Sequence, residues 1–201
     1  MNNNPKEILS LKHVTYDAGI VVAEDNDIAA SQRIDTITGV AGSTETDNTI
    51  TLAVIATRIE HPRNAVVTIT AGGGLTGGAK VTLYGMGLQG VRVSEVFTYV
   101  TSAAAITGNV PFLTIDRASI YGATGTLASG DVVKIGAGAK IGLPRGVDEE
   151  VVEVVKERFD SAEIAVTGTL NRQYGTYIPT STLDGSKFLE LWYTTKKVIT
   201  W

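Results

Sequence analysis

The residues whose spacing could do chemistry in this chain are mostly glycines. Gly85-Met86-Gly87-Leu88-Gln89-Gly90 matches the dinucleotide fingerprint G-x-G-x-x-G letter for letter. That fingerprint holds a pyrophosphate only when a strand precedes it and a helix follows, because the helix N-terminus supplies the free N–H groups. Residues 79–84 read as a strand, but residues 91–100 read as a second one, rich in valine, threonine and aromatics at alternating positions. The run is therefore expected to be a hairpin connection in which glycine supplies positive φ. Residues 73–80 resemble a phosphate loop only in part. Gly78-Ala79-Lys80 is followed by Val81, where a P-loop needs Gly-Lys and a magnesium-binding hydroxyl. That stretch reads as a strand connector. Residues 136–142 are equally glycine-rich and have no predicted helix after them.

The titratable residues give less. His61 lies in Glu60-His61-Pro62-Arg63-Asn64, where proline predicts a turn, so it reads as a turn histidine. His13 alternates into a strand and is expected to pack against neighbours. With two histidines and no G-x-S-x-G, a serine triad has little to build on. Asp116, Asp131, Glu149 and Glu150 are candidates for a glycosidase pair, and solvated strand ends explain them equally well. Asp131 and Asp184-Gly185 could contribute to an oxygen-ligand calcium site, but no D-x-D-x-D-G loop is present and both read as turns.

The 201 residues contain no cysteine, which excludes disulfides, thiolate metal sites and cysteine nucleophiles. The net charge is −4 and only 19% of residues are charged, with both signs mixed along the chain. No basic face suggests nucleic acid. No apolar run reaches the ~18 residues of a membrane span, and residues 1–5 lack the basic and apolar regions of a signal peptide. Twenty-two glycines among many threonines, valines and alanines predict short strands joined by tight turns. A chain this weakly charged is expected to cover several apolar faces with copies of itself or with other subunits.

The elements that must position these residues read as all-β, a β-sandwich or jelly-roll-like domain with an extended N-terminal arm. Residues 1–48 form the arm, with alternation at 8–12 and 32–38 and a short apolar run at 20–22. Residues 49–201 form the sandwich, with strands expected at 50–55, 65–70, 79–84, 91–100, 112–115, 118–121, 131–135, 163–167 and 187–193. Residues 148–159 begin acidic and carry apolar pairs, as an amphipathic helix would, but four valines in five positions favour a strand. The strand around Trp192 is expected to help close the core.

Several segments form an ordered series. Glu60-His61-Pro62-Arg63-Asn64 precedes Val66-Val67-Thr68-Ile69-Thr70, and then Val81-Thr82-Leu83-Tyr84-Gly85 and Gly90-Val91-Arg92-Val93-Ser94-Glu95 follow. Phe112-Leu113-Thr114-Ile115-Asp116 comes next, then residues 133–144, and Leu183-Asp184-Gly185-Ser186 before a Trp-Tyr strand. Over residues 58–195 this succession resembles virion structural proteins of tailed bacteriophages, small β-sandwich proteins associated with the head. The resemblance implies a non-enzymatic protein that decorates or cements the capsid and is localised to the virion. Its partners would be the major capsid protein and further copies of itself, as a homo-oligomer. A trimer is expected, since decoration sites on icosahedral shells are often three-fold. It implies no catalytic residue; no cofactor or metal site is expected, and the charge and hydropathy above give no nucleic-acid or membrane partner. A tail tube, adaptor or fibre component is the alternative within the virion. A carbohydrate-binding or hydrolytic β-domain for host attachment is the alternative outside this class.

Overall fold

The computed structural model describes residues 6–16, 28–37, 49–52, 61–99, 105–184 and 186–199. Its first strands are β1 (Lys6–Tyr16), β2 (Ala29–Arg33), β3 (Arg63–Thr70), β4 (Leu75–Gly77), β5 (Lys80–Gly87), β6 (Arg92–Thr98), β7 (Ala105–Thr107) and β8 (Phe112–Tyr121). Then come β9 (Thr124–Gly125), β10 (Val132–Gly142), β11 (Glu149–Phe159), β12 (Ala162–Ile164), β13 (Thr169–Asn171), β14 (Thr176–Ile178) and β15 (Leu189–Ile199). The fold is all-β and sandwich-like, built of curled antiparallel sheets. No helix among the described residues is long and apolar enough to cross a membrane.

The chain forms two compact units, Ala23–Gly138 and a second made of Met1–Val22 with Ala139–Trp201. Strand β10 runs through the division. In the first unit the strand order is β10-β3-β8-β5-β6, with β2 on β10 and β7 on β3. Alternation puts Ala65, Val67 and Ile69 of β3 and Val81 and Leu83 of β5 into one core with Phe112, Ile115, Ile120, Val133 and Ile135. Each fully buried aliphatic or phenyl side chain contributes about 1.5–3 kcal/mol relative to exposure.

In the second unit a four-stranded sheet has the order β1-β15-β11-β12, and β13-β14 pair on the last residues of β10. Leu189, Leu191 and Tyr193 of β15 face inward with Val151, Tyr16, Ile141, Leu143, Tyr177 and Leu183. The C-terminal strand thus closes this core as expected. Trp192 lies on its other face.

Of residues 148–159, Glu149–Phe159 are a strand, and the helix-like pattern has a physical origin. Register shifts fall between Val151 and Glu153 and between Val154 and Lys156, so each valine pair contributes one ladder residue and one bulge residue. Val151 and Val154 both reach the core, three residues apart, which imitates a helical face.

Several expectations need correction. The alternation at 32–38 is a strand only to Arg33, after which residues 34–36 make a 3-10 turn. Buried Ile34 donates its N–H to the Asp131 carbonyl at 2.8 Å, which draws the chain off the ladder. Residues 112–115 and 118–121 are one strand, β8, whose register shifts against β5 at Tyr84/Gly85 and Met86/Gly87 accommodate the break in pattern. The strand expected at 131–135 continues to Gly142 through the glycine-rich stretch. Of the strand expected at 50–55, residues 50–52 are not in a strand: Thr49 just before them makes an isolated bridge to Ser119 and Ile50 donates to the Ala118 carbonyl, while residues 53–55 lie outside the described residues. Of residues 1–48, β1 and β2 are paired strands, while the run at 20–22 also lies outside them.

Candidate functional site

The fingerprint glycines make the expected hairpin, with β5 antiparallel to β6 and Met86 opposite Arg92. Their physical role differs from the expectation. Positive φ falls on Gln89 (70°) and Gly90 (69°), while Gly85 and Gly87 are extended strand residues. Gly85 is required by close approach, because a Cβ there would run into the Thr114 carbonyl of β8.

The phosphate-loop look-alike does cradle an anion, and the anion is the protein's own. Asp131, fully buried, accepts the backbone N–H groups of Gly73, Gly74 and Leu75 at 2.9–3.2 Å and that of Ala128 at 2.8 Å. Burial alone would raise its pKa, but these four donors favour the charged form and bring it down to about 2. The glycine-rich loop is thereby closed around a carboxylate where a nucleotide would need open N–H groups. Within residues 136–142, Gly138 serves packing instead. A Cβ on Gly138 would collide with the Asn64 side chain, and the Gly138 carbonyl accepts from Arg63 Nε at 2.6 Å.

The other candidates also hold structural posts. Asp116 pairs with Arg92 at the surface. Glu149 takes Lys12 Nζ at 2.7 Å and the Gly146 N–H at 2.8 Å, and its carboxyl is held below the usual range, first by the Lys12 bond. Glu150 is exposed, opposite Lys196 in the ladder. Asp184 closes its own turn on the N–H groups of Ser186 and Lys187, with Gly185 outside the described residues. His61 is half-buried just before β3.

His13 lies on the outer face of the β1-β15-β11-β12 sheet. Its ring stacks on Trp192 at 4.3 Å with 21° between planes, and its Nε2 lies 3.6 Å from Glu190. Lys156 Nζ and Arg158 Cζ stand 5.3 and 5.7 Å from the indole centroid, within cation–π range. Lys156 pairs with Glu163 at 2.7 Å, so this row is electrostatically satisfied within the sheet. Further along the same face β1 carries Leu9 and Leu11, 66% and 67% exposed. The strand is the terminal one in its sheet, and its eleven residues pair only with β15 among the described residues. Such an edge offers unpaired N–H and C=O groups and apolar side chains together, which is the chemistry of strand addition.

Sequence reasoning missed two residues. Glu157 is fully buried and accepts the Tyr177 hydroxyl at 2.7 Å, the Thr180 N–H at 3.0 Å and the Thr180 hydroxyl at 3.0 Å. Burial, followed by this carboxylate bond, pushes the Tyr177 phenol up. Glu95 similarly gathers the Asn109 and Val110 N–H groups. Glu95 stands on the inward phase of β6, which is the one sequence signal for it; Glu157 is one of four glutamates in β11, whose bulges break the alternation, so no local pattern singled it out.

No protein-family model, no curated protein and no solved structure matches this chain.

Proposed function

We propose that this chain is a non-enzymatic structural protein of a tailed-phage virion that decorates or cements the head, docking on the major capsid protein and on further copies of itself. The observation that carries the reading is the β1 edge, where an eleven-residue strand ends its sheet with Leu9 and Leu11 exposed. A modest interface of this kind gains affinity when a shell repeats it many times. The ordered motif series over residues 58–195 supports the same assignment. So does the structural employment of Asp116, Asp131, Glu149 and Asp184, whose carboxylates are engaged by the protein's own donors. Self-association at three-fold sites of the shell would make the bound form a trimer.

Cryo-electron microscopy of particles from the source mixed with the purified protein tests this. The expected result is added density on the shell at three-fold or quasi-three-fold positions. Density confined to the tail, or free rings and tubes, would move the assignment to a tail component. Absence from particles together with glycan-array binding would replace it with a carbohydrate-binding module.

A further inference from the structure

We infer that β1 is a self-recognition strand, pairing antiparallel with β1 of a second copy about a two-fold axis through Ser10. Antiparallel neighbours share a sheet face, and a two-fold axis normal to the sheet carries outer residues onto outer residues. The outer residues of β1 are Glu7, Leu9, Leu11 and His13, given that His13 opposes Trp192, Leu11 opposes Thr194 and Leu9 opposes Lys196. Only a few registers are then available, and charge decides among them.

Centred on Ser10, Leu9 meets Leu11 of the second copy and Leu11 meets its Leu9, joining the most exposed apolar side chains of the strand into one cluster. In the same register Glu7 meets the second copy's His13 at each end, a carboxylate against an imidazole donor. Centred on Leu9, the pairing would set Glu7 against Leu11. Centred on Leu11, it would set Leu9 against His13 and Glu7 against Thr15. On the outer face, both alternatives set a polar group against an apolar one or leave Glu7 without the imidazole opposite it. The Ser10 register also fits the existing sheet, since Glu7 is held by Lys196 at 3.2 Å and His13 by its stack on Trp192. The partner is thus a second copy of this chain, and the product is one continuous sheet of eight strands across two molecules.

Such a contact is isologous and closes at two copies. It rests on the same β1 edge that carries the particle assignment, but it is read on the free protein while that assignment is read as density on the shell, so the two failures are distinguishable.

The chain has no cysteine, which makes disulfide trapping clean. Ser10→Cys is expected to cross-link to itself under mild oxidation, and an equimolar mixture of Leu9→Cys and Leu11→Cys to give the mixed disulfide. Close and wide pairs alternate along an antiparallel ladder, so one of these two sites always has the close geometry. Leu9→Cys alone and Leu11→Cys alone are expected to stay uncross-linked. By sedimentation the unmodified protein should hold an even number of copies, and Leu9→Lys with Leu11→Lys should halve that number with the circular dichroism unchanged. A monomeric unmodified protein, as an edge covered by the chain's own segments would give, overturns the inference. So does preferential self-linking of Leu9→Cys or Leu11→Cys, or an assembly that survives the double lysine variant.

Discussion

At residues 73–75 three successive backbone N–H groups converge on the Asp131 carboxylate, which takes a fourth from Ala128. Along β1 the backbone on one side pairs with β15 through eleven residues, and among the described residues the other side ends the sheet beside Leu9 and Leu11. Both places gather backbone groups that a regular ladder leaves over. The loop satisfies them with a buried acid and closes; the edge keeps them and adds apolar surface. One edge strand of the nine-stranded sheet, β6, sharpens the contrast. It is shorter, and its outward residues are Arg92, Ser94, Val96 and Thr98, with Arg92 paired to Asp116. Charge and hydroxyls on an edge discourage pairing with another chain. Among the described residues the β6 edge thus carries charge and hydroxyls where the β1 edge carries two largely exposed leucines.

The most disruptive way to test that contrast is to open the loop. Asp131→Ala leaves four backbone donors without their acceptor and is expected to cost about 3 kcal/mol, read by urea denaturation. A loss below about 1 kcal/mol would mean that glycine packing, not the carboxylate, holds residues 72–75. The same clasp predicts a pH dependence. Asp131 titrates at about 2 in the folded chain against an ordinary 3.8, so its contribution is complete above the higher value and is lost as pH falls toward the lower. Acid melts should show this limb shrinking in Asp131→Asn.

Gly85→Ala comes next, at about 2–3 kcal/mol, because its methyl group meets the β8 backbone, which cannot rotate away. A melting temperature unchanged in this variant would show that β5 and β8 separate easily. Glu157→Gln should cost about 1–2 kcal/mol, since the amide keeps one acceptor and loses the charge facing Tyr177 and Thr180. Thermal unfolding followed by near-ultraviolet circular dichroism would report the released tyrosine. The smallest effect on stability belongs to the edge. Leu9→Lys with Leu11→Lys should move the free energy of unfolding, by denaturant titration of the monomeric form, by about 0.5 kcal/mol or less, because both side chains are mostly in water already. A large loss there would mean that β1 is packed on that side and is no free edge.

Much of the fold was legible in the residues. Alternation of valine, threonine and isoleucine located β3, β5 and β6 because a strand with one face in a core shows its period directly. Residues 149–159 were harder, since the two bulges in β11 shift the inward phase and produce the spacing of a helix. The candidate sites were legible as residue types and misleading as chemistry. A glycine-rich loop beside a lone lysine has the composition of an anion site, and nothing local says that the anion will be an aspartate some sixty residues on, as Asp131 is to Gly73 with a separation of 58.

What the sequence determined by itself was the class of structure and the absence of thiol chemistry, because period, turn residues and composition are local properties. Which glycines avoid a clash, which carboxylate sits at the glycine loop, and which strand is left at an edge were decided only by tertiary structure. Those facts depend on pairing between segments far apart in the chain. His13 meets Trp192 and Tyr16 meets Leu189 solely because the first strand lies along the last, and no local pattern encodes that choice.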